Sequence, residues 1–168
     1  RAREYELALQ WLLDAGLIYK VYNVKAPRLP LASYEDRAAF KIFVLDVGLL
    51  GAMSNLKAST IVAGNSIFTE FKGALMEQYV LQQLIIRYEP YYYSKANSTQ
   101  EIDFLLQNEE DEIVPLEVKA ETNVKAKSLR QFVADNQSKK AYRISMNDYQ
   151  QEDWVTNVPL YAVNGLEF

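Results

Sequence analysis

Neither cysteine nor histidine occurs in the 168 residues of this chain. The two absences exclude disulfides, thiol nucleophiles, zinc sites of the Cys/His kind, Ser-His-Asp triads and imidazole acid–base chemistry. Any catalysis has to rest on carboxylates, lysine, tyrosine or a hard metal ion held by oxygen. Long apolar runs are missing too: none approaches the roughly 20 residues that cross a bilayer, and no secretory signal is present. No G-x-x-x-x-G-K-[ST] occurs, and neither Gly48–Gly51 nor Lys72-Gly73 forms a phosphate loop, so ATP binding in the P-loop manner is excluded. The chain opens on Arg1 rather than methionine and enters a helical pattern almost at once. A fragment of a longer, cytoplasmic protein is therefore expected.

Apolar residues make up 49% and charged residues 24%, which supplies one domain, or a domain and a small appendage, with material for a core. Twelve tyrosines are expected mainly as amphipathic packing residues. The net charge of −4 argues against a freestanding, nonspecific DNA binder. That average hides an asymmetry. Glu101, Asp103, Glu109, Glu110, Asp111, Glu112 and Glu117 follow one another without a base. Lys119, Lys125, Lys127, Arg130, Lys139, Lys140 and Arg143 then face only Glu121 and Asp135. Such a basic stretch suits a polyanion, and equally a solvated surface.

The apolar spacing predicts an amphipathic helix over Glu4–Ala15, with Tyr5, Leu7, Ala8, Trp11, Leu12 and Ala15 on one stripe and Gly16 as its left-handed stop. Strands over Leu17–Val24 and Ala39–Asp46 follow, separated by a loop over Ala26–Asp36, with a short helix or turn over Val47–Leu56. Helix, strand, loop and strand suit the tail of a winged-helix-like module, or a small appendage on the main domain. A boundary near residue 60 separates residues 1–60 from residues 61–168. The second part reads as a long helix over Thr69–Arg87, with Phe71, Ala74, Leu75, Leu81, Leu84 and Ile85 as its core stripe. Pro90 stops it by pushing Glu89 out of helical geometry. Strands from Tyr91, over Glu101–Gln107 and over Ile113–Lys119, a helix over Val124–Ala134, and strands over Lys140–Ser145 and Val158–Val163 complete it. From about Ile67 to Ser145 this is one α-β-β-β-α-β unit. Tyr91–Tyr93 suit base stacking as well as the core and edge of a strand.

The central hairpin carries the candidate chemistry. With its acidic turn centred on Glu110, Asp103 lies opposite Glu117 and Glu101 opposite Lys119. Strand alternation then gathers Ile102, Phe104, Leu106, Val114, Leu116 and Val118 on an apolar face, and Asp103, Glu117 and Lys119 on the other. Two carboxylates at ~5 Å repel by about 3 kcal/mol at an effective dielectric near 20. A divalent cation reverses the sign of that term, and Mg²⁺ or Mn²⁺ accepts two carboxylates with water completing the shell. Lys119 is placed to orient a water or to stabilise charge developing on phosphorus. The same spacing also fits a solvated sheet face with mixed charges.

The runs KGALMEQYV, STQEIDFLL, IVPLEVKAETNVKAKSLRQF and KKAYRIS, in that order, resemble the uncharacterised C-terminal domain, family 4143 of the domains of unknown function, that follows the ATPase module of bacterial and archaeal AAA+-type ATPases. The earlier runs LQWLLDAGLIYKVYNV and KIFVLDVGLL are similar to the segment joining ATPase and domain. That domain in turn resembles the PD-(D/E)XK, restriction-endonuclease-like superfamily. The resemblance implies an α/β (α+β) fold with a mixed sheet. It maps the acidic motif onto Asp103, the (D/E)-x-K element onto Glu117-Val118-Lys119 and a helix carboxylate onto Glu77. Ile102 stands where the superfamily name has proline, a residue without chemistry. The expected function is a Mg²⁺- or Mn²⁺-dependent phosphodiesterase on DNA, with Asp103 and Glu117 as metal ligands, Lys119 and Glu77 assisting, and Lys125, Lys127 and Arg130 contacting phosphates. The expected partner is an upstream ATPase module of the same polypeptide, the only part that would bind ATP. No membrane is expected. Two alternatives stand beside it: a noncatalytic interaction or regulatory domain of that ATPase, and nucleic-acid binding without hydrolysis.

Overall fold

A computed structural model describes residues 5–57, 59, 66–95, 98–120 and 126–168. In chain order the elements are α1 (Glu6–Asp14), β1 (Ile18–Val24), a 3-10 turn (Leu31–Tyr34), β2 (Glu35–Val44), α2 (Val47–Met53) and α3 (Ser66–Leu84). There follow β3 (Tyr91–Ser94), β4 (Glu101–Gln107), β5 (Ile113–Lys119), α4 (Lys127–Asn136), β6 (Tyr142–Ser145), β7 (Gln150–Gln151), β8 (Thr156–Pro159) and a closing 3-10 turn (Leu160–Gly165). The fold is mixed α/β. Among the described residues eight strands form one sheet in the order β2-β1-β3-β4-β5-β6-β8-β7. β5, β6 and β8 run parallel, and so do β1 and β3; the remaining neighbours are antiparallel. The expected α-β-β-β-α-β order is present as α3-β3-β4-β5-α4-β6.

Two apolar layers hold the sheet. Met76, Val80, Leu81 and Leu84 of α3 pack on Phe104, Leu106, Val114, Leu116, Ile144 and Val158. Leu129 and Phe132 of α4 pack with Val24, Leu31, Tyr91, Ile102 and Leu105. Each such fully buried side chain contributes about 1.5–3 kcal/mol, so these layers dominate the stability.

Several expectations need correction. Leu9 and Leu13 are the half-buried residues of α1, whereas Leu7 and Trp11 are each 73% exposed; the inward stripe is the other one. Ala74 on α3 is exposed, and Met76 and Val80 fill the core. β2 begins at Glu35, four residues earlier than expected, because its register with β1 jumps from Tyr22↔Phe40 to Asn23↔Asp36 and loops out the residues between. The last strand ends at Pro159, which has no N–H to continue the ladder, and the chain winds into a 3-10 turn where a strand over Val158–Val163 was expected. Gly16 does adopt the left-handed conformation expected of it, with φ +68°.

Candidate functional site

The β4–β5 ladder pairs Phe104↔Leu116, Leu105↔Pro115, Leu106↔Val114 and Gln107↔Ile113, the register set by a turn centred on Glu110. The alternation expected of β4 nevertheless fails at one point. Tyr91 pairs with Leu105 but Tyr93 with Ile102, so β4 accommodates one extra residue there. Ile102 therefore joins Leu105 in the layer under α4, and does not share a face with Phe104 and Leu106 as the sequence predicts.

Beside that irregularity the ladder stops and Asp103 takes over. Its Oδ2 accepts the backbone N–H of Val118 at 2.7 Å, a side chain doing what a strand carbonyl does elsewhere. Val118 lies between Glu117 and Lys119, so this bond ties the aspartate to the strand bearing the other two candidates. Glu117 itself is buried, with a side-chain exposure of 8%. Its Oε1 accepts from Lys119 Nζ, and its Oε2 is buried without a hydrogen-bond partner.

The electrostatics show a site with too much negative charge. Burial, then the nearby Asp103, pushes Glu117 up to about 7 against the pull of Lys119. Burial likewise raises Asp103, although the Val118 N–H, Lys41 and Lys119 all oppose it. Glu77 on α3 is raised by burial and then by Asp103. Asp103, Glu117, Lys119 and Glu77 thus share one electrostatic environment.

One member of that environment was invisible in the sequence. Lys41 reaches across from β2 to Glu101 Oε1 at 2.5 Å and Glu77 Oε2 at 3.8 Å, with its ammonium 5.2 Å from the Tyr92 ring centre. Burial lowers its pKa, but the acids around it outweigh burial and hold it above the ordinary lysine range. The expected pairing of Glu101 with Lys119 is replaced by Glu101 with Lys41 and Glu117 with Lys119. The one signal was Lys41 as the single charge in the apolar run Ala38–Val44.

The basic stretch is largely spent inside the fold. Lys139 bonds Glu112 at 2.7 Å and Lys140 bonds Glu110 at 3.0 Å, both in the acidic turn, and buried Arg143 bonds Glu152 at 2.6 Å. Lys127 and Arg130 remain exposed on α4, Arg130 lying 5.7 Å from the Trp154 ring centre. Lys125 lies outside the described residues. Tyr91 is buried and Tyr93 packs edge-on against Phe132 at 5.5 Å, so these two are packing residues.

Residues 72–163 match a family described as Domain of unknown function (DUF4143). The chain belongs to this family. In DUF4143 terms the matched stretch contains Glu77, Asp103, Glu117 and Lys119, while Lys41 falls within residues 1–60, which match a second Domain of unknown function (DUF8612). No curated protein and no solved structure matches the chain. Among the described residues no helix is long and apolar enough to cross a membrane.

Proposed function

We propose that this DUF4143 chain is a nuclease-like domain that hydrolyses phosphodiesters with a divalent cation. The observation that carries the reading is Glu117 Oε2: a buried carboxylate oxygen without a partner, beside a second carboxylate that raises its pKa. Burying such an oxygen costs free energy unless something binds it, and a hard cation is the chemical group that suits two carboxylates. Among the described residues no group of three acids could ligate one ion. Asp103 and Glu117 would therefore be the protein ligands of Mg²⁺ or Mn²⁺, with water supplying the rest, as Mg²⁺ prefers. Bound there, the ion would supply Lewis acidity and charge neutralisation.

The chain's own residues would do the remainder. The bond from Val118 N–H ties the Asp103 carboxylate to the strand that carries Glu117. Lys119, only partly exposed, would hold the attacking water or the charge growing on phosphorus. Glu77 would add a hydrogen bond to water around the site. Lys127 and Arg130 would meet backbone phosphates, positioning the strand without reading sequence. This arrangement, on an α-β-β-β-α-β order, supports kinship with the PD-(D/E)XK superfamily. The α1–β1–β2 unit would derive from a winged-helix-like segment following an AAA+ ATPase module in the cytoplasm. The test is a DNA cleavage assay at several millimolar Mg²⁺ or Mn²⁺. Cleavage should vanish in both Asp103→Ala and Lys119→Ala; cleavage persisting in both removes these residues from the mechanism.

A second reading has its own observation. Leu7 and Trp11 of α1 are largely exposed, which suits a domain that binds the adjoining module or another protein without catalysis. It requires that neither divalent ion bind at millimolar concentration.

A further inference from the structure

Lys41 of β2 places a charge against Glu77 and Glu101, two acids that share a field with the Asp103–Glu117 site. Lys41 on β2 lies about 60 residues before Glu101 in the chain, yet its ammonium bonds Glu101 Oε1 at 2.5 Å and lies 3.8 Å from Glu77 Oε2. Its side chain is only 27% exposed, so water screens these contacts weakly. Its charge also acts on Asp103. Consecutive residues of α3 grip the same strand. Beside Glu77, Gln78 is buried and clasps the Val44 backbone twice, accepting its N–H at 3.0 Å and donating to its carbonyl at 2.7 Å. One turn on, Gln82 accepts the Val47 N–H at 3.1 Å. The position of Lys41 is therefore set by how β2 docks on α3.

We propose that Lys41 is a built-in counter-ion of the Asp103–Glu117 site, so that the docking of residues 1–60 sets how tightly the site holds a divalent cation. The inference rests on the two-carboxylate reading above, whose independent sign is the unpartnered Glu117 Oε2. With Lys41 in place, one of the two negative charges of Glu77 and Glu101 is offset and the ion meets a weaker negative field. A displaced β2 would withdraw that charge and deepen the field. Lys41 is thus a positioning and tuning residue and need not touch substrate.

The test is Mn²⁺ titration by calorimetry at pH 8 on the whole chain, with no activity measured. Removing the positive charge that pairs with Glu101 and acts on Asp103 in Lys41→Met should tighten binding by about five- to tenfold. Lys41→Arg should match wild type. The double variant Lys41→Met/Glu101→Gln, which removes the pair together, should return to within about twofold of wild type. Gln78→Leu leaves every charge in place but loosens β2, and should shift affinity in the same direction as Lys41→Met; it also serves if that variant fails to fold. Unchanged or weaker binding in Lys41→Met and Gln78→Leu, with wild type still binding more tightly than Asp103→Asn, overturns this inference alone. Equal binding by wild type and Asp103→Asn, or none in either, overturns the metal site and this inference together.

Discussion

Asp103 and Val118 are joined by a bond that crosses from side chain to backbone: the aspartate Oδ2 accepts the Val118 N–H at 2.7 Å where the β4–β5 ladder ends. A structural role alone would be met as well by asparagine. A carboxylate here adds a charge that burial and Glu101 both disfavour, and sites that keep such costs usually use them.

From this follows a stability gain on removing the charge. Asp103→Asn retains an oxygen for the Val118 N–H and relieves the repulsion at Glu117. In metal-free buffer at pH 8 it should be stabilised by about 1 kcal/mol, seen as a Tm rise of ~2–4 °C. Thermal unfolding with EDTA present checks this; a lower Tm would mean that the aspartate serves structure.

The pH dependence has a definite sign. Glu117 is raised from 4.5 to about 7, by burial first and Asp103 second, so the folded chain holds its proton more tightly than the unfolded one. Stability from this group is full below pH 4.5 and is lost as pH rises through about 7. Metal-free protein should therefore lose stability across this window, and Glu117→Gln should flatten the loss. Asp103 and Glu77 are raised too and act in the same direction. Urea unfolding at a series of pH values, with and without Mn²⁺, tests it: the ion should oppose the loss.

β2 is held to α3 by specific, part-buried polar bonds from the buried Gln78. Gln78→Leu leaves the part-buried Val44 N–H and carbonyl without those two partners, which should cost about 1–3 kcal/mol in urea unfolding, at roughly 0.5–1.5 kcal/mol per hydrogen bond lost. Gln82→Leu removes a single bond, from the less buried Gln82 to Val47 at the start of α2, and should cost less. Equal, small losses in both would mean that β2 docks mainly through Phe43 and its apolar neighbours.

Much of this arrangement could be read from local pattern. The hairpin register follows from two short apolar runs, Phe104–Leu106 and Ile113–Leu116, flanking an acidic turn centred on Glu110. The element order of the second half was legible for the same reason. The extra residue in β4 was not, because it arises from pairing with β3 and leaves no mark in the β4 alternation. Nor was Lys41, whose partners lie on α3 and β4, far along the chain. Its role depends on β1 bridging β2 to β3 within the single sheet. The surface of α1 misled for the opposite reason: Tyr5, Leu7 and Trp11 follow helical spacing but face outward.

The central claim is that Asp103 and Glu117 together bind a divalent cation. Calorimetric titration of Mn²⁺ into wild type and Asp103→Asn at pH 8, where Glu117 is ionised, addresses it without a substrate. Saturable ~1:1 binding, weakened roughly tenfold or more by the substitution, is expected. Identical curves for the two proteins, or no binding by wild type at millimolar Mn²⁺, would contradict it.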